Sequence, residues 1–272
     1  MKLGFSSNAF LDYSLLDSIE ILSNIGYDGI EIVLDLPHAF LPLNESTKID
    51  IKKSLVKNNL NVTNLNANTV FGWNETTSEK FEPSLSNKNE KLRSWRINYT
   101  KQAIDFASFL NSTSISITSG LNDIESKLCL GLFYDSLTQL AEYAEKQNIL
   151  ISIEYEPHLL IDNSTKVWDV SKDFSNIGLN LDTCHVNVCG ENLQEIISKF
   201  GKKIFHTHIS DCKNGIHYHL LPGDGEINFQ QMYHSLNNIG YSGYLTAELY
   251  TYSKTPKDAA SKAFIYLENL IK

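Results

Sequence analysis

Within residues 203–229 the chain reads KIFHTHISDCKNGIHYHLLPGDGEINF, and four of its eight histidines stand there beside Asp211, Asp224 and Glu226. Imidazole is the commonest protein ligand for a divalent cation. Residues 204–209 alternate apolar with polar, which predicts a buried strand with His206 and His208 on one face. His217 and His219 repeat the i, i+2 spacing on an extended segment and point one way. A lone strand histidine is more often a satisfied core residue than a ligand, so the weight rests on the cluster. Residues 210–225 read as the loop leaving the strand. Gly223 and Gly225 there allow a tight turn and a close backbone approach to a ligand, and Asn228 or Glu226 opens the next helix. Asp211 reads as a loop or capping carboxylate.

Carboxylates join this histidine set once the strands are placed. Glu154, Asp182, His208 and Glu248 fall at the C-terminal ends of four consecutive predicted strands. Strands disfavour Asp and Glu, and barrel interiors are mostly branched apolar, so four such ends are not decoration. Three carboxylates and an imidazole brought together would repel and be poorly solvated without a cation among them. The set is hard and oxygen-rich, which favours Mn²⁺, Mg²⁺ or Co²⁺ over a thiolate-type zinc site. Glu156, two residues past Glu154 on the same face, is a rival for the strand-five position.

The elements that must position these groups alternate strand with helix. Strands are predicted at 3–6, 29–34, 61–66, 114–118, 149–155, 178–182, 204–209 and 244–249. Helices are predicted at 15–25, 49–58, 92–110, 125–147, 167–174, 193–200, 229–239 and 256–271. Eight such units in one direction predict an α/β fold, a (β/α)₈ TIM barrel forming a single domain over residues 1–272. An Ile-Gly-Tyr-x-Gly joint recurs at Ile25 and Ile239, with a first glycine suited to a helix C-terminus and a second to a close turn. The runner-up, an open doubly wound sheet, lacks a G-x-G-x-x-G or Walker sequence. Residues 68–89 lose all periodicity. Phe71 and Trp73 in that excursion read as aromatics tucked under a surface loop, with an apolar wall over a small ligand as the alternative.

The chain has 272 residues, 42% hydrophobic and 20% charged, with a formal charge of −9 and a sequence pI near 5.4. This acidity argues against a nucleic-acid partner, and only Lys202 and Lys203 approach a basic patch. The start lacks a signal-peptide apolar core and no run is long enough to span a bilayer, so no membrane partner is expected. Cys129, Cys184, Cys189 and Cys212 form no C-x-x-C pair and read as reduced, which suggests the cytoplasm. Cys184 and Cys212 lie near the site residues but read as buried, inert thiols. An oligomer is left open.

Strand five with IEYEPH, strand six with NLDTCH, strand seven with HTHISD and the following HYHLLPGDGEI, and strand eight with AELY together resemble the xylose-isomerase-like TIM-barrel superfamily of sugar isomerases, epimerases and endonuclease IV. The resemblance covers essentially the whole chain. It implies one divalent cation held by Glu154, Asp182, His208 and Glu248, with Glu154 and Glu248 also acting as acid and base. It implies that His185, three residues after the aspartate, contacts substrate, and it prefers Glu154 to Glu156. Zn²⁺ joins Mg²⁺ and Co²⁺ as an alternative to the favoured Mn²⁺.

The departures are as informative. Endonuclease IV builds a three-zinc site with extra histidines from the second to fourth strands, where this chain offers only His38. It has D-x-H where this chain has His217-Tyr218-His219, a pair left for a substrate oxygen or a second metal. The epimerase arginine after the strand-seven histidine is missing. The implied reaction is isomerisation or epimerisation of a small sugar or keto-polyol, by proton abstraction next to a carbonyl through an enediolate. The alternatives are an endonuclease IV-like metal-dependent phosphodiester hydrolase, or a lyase or hydrolase on the same metal site.

Overall fold

The computed structural model describes residues 1–69, 72 and 80–272. Phe71 and Trp73 lie outside them. In chain order the strands are β1 (Lys2–Ser6), β2 (Gly29–Val33), β3 (Asn61–Asn66), β4 (Ser114–Ile117), β5 (Leu150–Ile153), β6 (Ile177–Asp182), β7 (Ile204–Ile209), β8 (Asp211–Lys213), β9 (Ile216–Leu220) and β10 (Tyr244–Ala247). The helices are α1 (Leu15–Ile25), α2 (Glu45–Lys57), α3 (Glu90–Leu110), α4 (Ser126–Glu145), α5 (Ser164–Ser171), α6 (Thr183–Val188), α7 (Leu193–Phe200), α8 (Phe229–Asn238) and α9 (Pro256–Ile271). Strands β1 to β7 and β10 pair in parallel and close into a barrel, β10 lying between β7 and β1. This is the (β/α)₈ architecture expected. β8 and β9 form a separate antiparallel hairpin.

Helix starts follow side-chain chemistry. Ser14, Asn44, Asn89, Asn163, Asn192 and Asn228 each accept a backbone N–H of the first turn, which satisfies donors that have no partner inside the helix. The repeated joint also holds. Gly26 and Gly240 have φ of +117° and +73°, the left-handed region that closes a helix. A Cβ on Gly29 would lie 2.6 Å from Thr63 Cγ2, so that glycine admits the neighbouring strand.

Both faces of the strands are buried. Outward positions carry the branched apolar set, including Ile30, Ile32, Leu65, Ile115, Ile117, Ile151, Ile153, Leu179 and Leu181, all sealed from solvent under the helices. The barrel axis departs from expectation. Glu31, Asn64, Ser116, Ser152, Asn180, His206, His208 and Thr246 are buried as well, and His208 on β7 reaches Glu31 on β2 at 2.8 Å although those strands are not neighbours. A polar network, rather than branched apolar layers, fills the upper axis. Such groups are tolerated in the interior because they satisfy one another.

Candidate active site

The site forms where β5, β6, β7 and β10 end. Glu154 and Glu248 each stand one residue past their strand, yet their backbones stay in the ladder: Glu154 N–H donates to Ile117 O at 2.9 Å and Glu248 N–H to Ile209 O at 3.1 Å. In register, His208 lies beside Asp182 on one side and Thr246 on the other. His208 Nδ1 is therefore 2.9 Å from Glu154 Oε1, 3.5 Å from Glu248 Oε2 and 3.8 Å from Asp182 Oδ2. One donor atom from each of these four buried residues lies within 4.8 Å of the others. Glu156 is on the same rim, half-buried and outside that group.

Asp182 has two jobs. Oδ1 accepts the His185 N–H at 2.9 Å and so caps α6, a helix the sequence reading left out. Its other oxygen, Oδ2, is buried with no hydrogen-bond partner among the described residues. The D-x-x-H spacing is thus a cap followed by one helical turn. That turn aims His185 inward, and its Nδ1–H donates to Tyr155 O at 2.9 Å.

The segment expected to be loop is a hairpin. Asn214 and Gly215 both have positive φ, 57° and 63°, as a two-residue Asn-Gly turn requires. The hairpin carries His217 and His219 on one face while Ile216 and Tyr218 face solvent. His217 Nε2 lies 3.0 Å from His185 Nε2. His219 Nδ1–H donates to Glu248 O at 3.2 Å, and its buried Nε2 has no hydrogen-bond partner among the described residues. His185, His217 and His219 make a second converging group of imidazoles.

The close approach expected of Gly223 and Gly225 is made to a side chain and not to a ligand. Asp211 is buried and accepts N–H groups from Gly223, Gly225 and Ile227 at 2.9–3.0 Å. A Cβ on Gly225 would lie 2.4 Å from Asp211 Oδ1. Asp211, expected as a loop or capping carboxylate, is the first residue of β8 and orders the later loop from there, and Asn228 is the cap that opens α8. His38 lies on the cavity wall with Nε2 3.1 Å from Phe10 O. Lys203 makes no basic patch, because its ammonium donates to the carbonyls of Ser171, Phe174 and Ile177. Cys184 and Cys212 are buried free thiols.

Charges in the site are strongly interdependent. Burial lifts the Glu154 carboxyl to about 7, with His208 opposing and Glu248 and Asp182 adding to the rise. Burial and then Glu154 lift Glu156 to about 8. Asp182 is held at about 2, since burial is outweighed by His185, His219 and His208. Burial would lower His208, but Glu248, Glu31 and Glu154 hold it well above the ordinary imidazole range. Burial pushes His185 down to about 4. His219 rises to about 9, with Asp182 and Glu248 outweighing its burial.

Above the four-residue group opens a cavity of about 280 Å³. Leu11, Leu36, Phe81 and Tyr250 supply apolar wall, and His185, His217, His219 and Glu156 supply polar contacts. Among the described residues Lys80 is the one lysine or arginine lining it.

The profile of the xylose isomerase-like TIM barrel family matches residues 19–270, and the chain belongs to that family. It is 29% identical over 253 residues to the fructoselysine 3-epimerase of Shigella flexneri, spanning 89% of this chain and 87% of that one. Against the inosose isomerase of Halalkalibacterium halodurans it is 26% identical over 269 residues, spanning 92% and 88%. Among solved structures, the IOLI protein with a binding zinc atom superposes with a TM-score of 0.82 at 23% identity, over 100% of this chain and 98% of that one. At that identity the likeness is one of fold.

Proposed function

We propose that this chain is a divalent-cation-dependent isomerase or epimerase of a small sugar or keto-polyol. The observation that carries the reading is the convergence of Glu154, Asp182, His208 and Glu248 under the cavity, with donor atoms within 4.8 Å of one another. The names of the two relatives support the reaction class. The donors fit a cation on their own chemistry: Asp182 Oδ2 is an orphaned buried acceptor, and a group rich in carboxylates is poorly stabilised without positive charge. Their hardness favours Mn²⁺, with Mg²⁺, Co²⁺ and Zn²⁺ as alternatives.

A bound cation would supply Lewis acidity toward a substrate carbonyl and toward the negative charge that develops beside it. Glu154 and Glu248 flank His208 and are the proton carriers. One takes the proton from the carbon next to the carbonyl. The other returns a proton to the opposite face, giving epimerisation; carriage of the proton to the neighbouring carbon gives isomerisation. Asn8 Nδ2–H donates to Glu248 Oε1 at 2.8 Å and fixes that carboxylate's direction. His185, His217 and His219 bind substrate hydroxyls on the cavity wall.

That Lys80 is the one basic residue lining the cavity among the described residues favours an unphosphorylated substrate. The net charge of −9 disfavours nucleic acid and with it a phosphodiester hydrolase. No helix among the described residues is long and apolar enough to cross a membrane, and the four unpaired thiols fit our placement of the enzyme in the cytoplasm. A second reading for His185, His217 and His219 is a site for a second ion, favoured by the unpartnered Nε2 of His219. The test is metal analysis and turnover of a keto-sugar panel with reloaded protein. One ion per chain with turnover supports the main reading, two ions support the second, and abasic-site DNA cleaved without sugar turnover overturns the main reading.

A further inference from the structure

Glu31 was not among the residues the sequence singled out. It is fully buried on β2 between Ile30 and Ile32, deep to the rim glutamates. A buried carboxylate is costly unless its oxygens are fully hydrogen-bonded. Here they are. Oε1 accepts the Ser6 hydroxyl at 2.7 Å, and Oε2 accepts Asn64 Nδ2–H at 2.9 Å and His208 Nε2–H at 2.8 Å. His206 Nε2 lies 3.1 Å from the same oxygen, off the line of a good hydrogen bond.

An ionised carboxylate only accepts. Contact with Glu31 therefore keeps a proton on His208 Nε2, and Nδ1, the atom 2.9 Å from Glu154 and 3.5 Å from Glu248, is the ring nitrogen left to a cation that displaces its proton. Histidines that ligate metals commonly donate their other ring N–H to a carboxylate, which fixes tautomer and ring angle and raises ligand basicity. Glu31, His206 and His208 also converge closely enough to suggest an ion of their own. Against that, the Glu31 oxygen facing both histidines already takes the Asn64 amide N–H, which would point at a cation placed there.

We propose that Glu31 is the positioning residue of the metal centre: from inside the barrel it holds the Nε2–H tautomer of His208 so that Nδ1 is presented to the cation. Ser6 and Asn64 in turn hold Glu31. The inference rests on His208 being a ligand, so its test carries a control for that reading.

The experiment uses the full chain loaded with Zn²⁺. Long-range ¹H–¹⁵N spectra of the parent protein report the His208 tautomer without any substitution, and the expected result is a proton on Nε2 with Nδ1 bound to the ion. A proton on Nδ1 overturns the proposal. Chelator competition then compares Glu31→Gln with Asp182→Asn. Glu31→Gln should weaken Zn²⁺ affinity by about 10- to 100-fold and weaken the Nε2–H signal, with the unfolding temperature of the metal-free protein close to that of the parent. If Asp182→Asn loses metal and Glu31→Gln binds within about twofold of the parent, this inference fails and the metal reading stands. If neither variant loses metal, the metal reading itself fails.

Discussion

Asp182 and His185 are joined through a cap: one Asp182 oxygen accepts the His185 backbone N–H at 2.9 Å, and the other is buried at the barrel mouth with no hydrogen-bond partner among the described residues. The same side chain starts the helix that aims one candidate substrate group and contributes an atom to the candidate metal centre. Position and chemistry are therefore separable by substitution.

Asparagine caps helices about as well as aspartate. Asp182→Asn should leave the unfolding midpoint of the metal-free protein within a few degrees of the parent. It should weaken Mn²⁺ binding by at least about 100-fold, more than loss of a supporting group does. Titration with a fluorescent chelator as competitor measures it. A variant that binds as tightly as the parent would remove Asp182 from the centre.

Metal uptake should strengthen as pH rises. The metal-free Glu154 carboxyl, lifted by burial to about 7, is protonated below that pH, and His208 is held well above its ordinary range by its carboxylate neighbours. A cation must displace these protons, so apparent affinity gains about tenfold per pH unit for each proton released. Calorimetry in buffers of differing ionisation heat will count them. A pH-independent affinity between 5 and 7 is the contrary result.

Gly215→Ala tests the hairpin. Its φ is 63° and a Cβ there would touch nothing within 4 Å, so the cost is backbone strain alone, about 1–2 kcal/mol. That strain falls on the turn that aligns His217 and His219. We expect KM to rise several-fold while affinity at the four-residue centre stays unchanged. A fall in metal affinity equal to the rise in KM would mean that the hairpin belongs to the ion site.

His217 is only half-buried on the cavity wall. His217→Ala should cost less than about 1 kcal/mol of stability and lower kcat/KM by about 10- to 100-fold. Thermal unfolding alongside steady-state kinetics separates the two. Loss of stability with unchanged activity per folded molecule would make the residue structural.

The barrel was legible because eight apolar runs alternate with helical periodicity, and because the outward set of Ile and Leu must be covered by helices. The convergence of Glu154, Asp182, His208 and Glu248 was legible for the complementary reason: three acids and a histidine at successive strand ends do not fit a branched apolar core. Glu31 escaped notice because a single Glu within GIEIV reads as a solvent-facing strand position; its burial depends on His208, 177 residues away. α6 was missed because Thr183–Val188 is six residues long and carries three β-branched residues, so its start is set by the Asp182 cap and not by propensity. The hairpin had a signal, Asn214-Gly215 between alternating residues, which the density of histidines overshadowed. Gly225 was read toward a ligand because sequence does not show that Asp211 fills the turn.

Glu154 and Glu248 are proposed to move a proton at carbon, and solvent exchange reads that step. Carboxyl protons exchange with water, so a keto-sugar turned over in deuterated water by the Mn²⁺-loaded protein should return with deuterium at the carbon next to the carbonyl, read by mass spectrometry. Glu248→Gln should keep the fold and lose that exchange by at least about 10²-fold, because an amide is not a base. Epimerisation of the sugar with no deuterium at that carbon, or exchange undiminished in Glu248→Gln, would show that these carboxyls do not carry the proton.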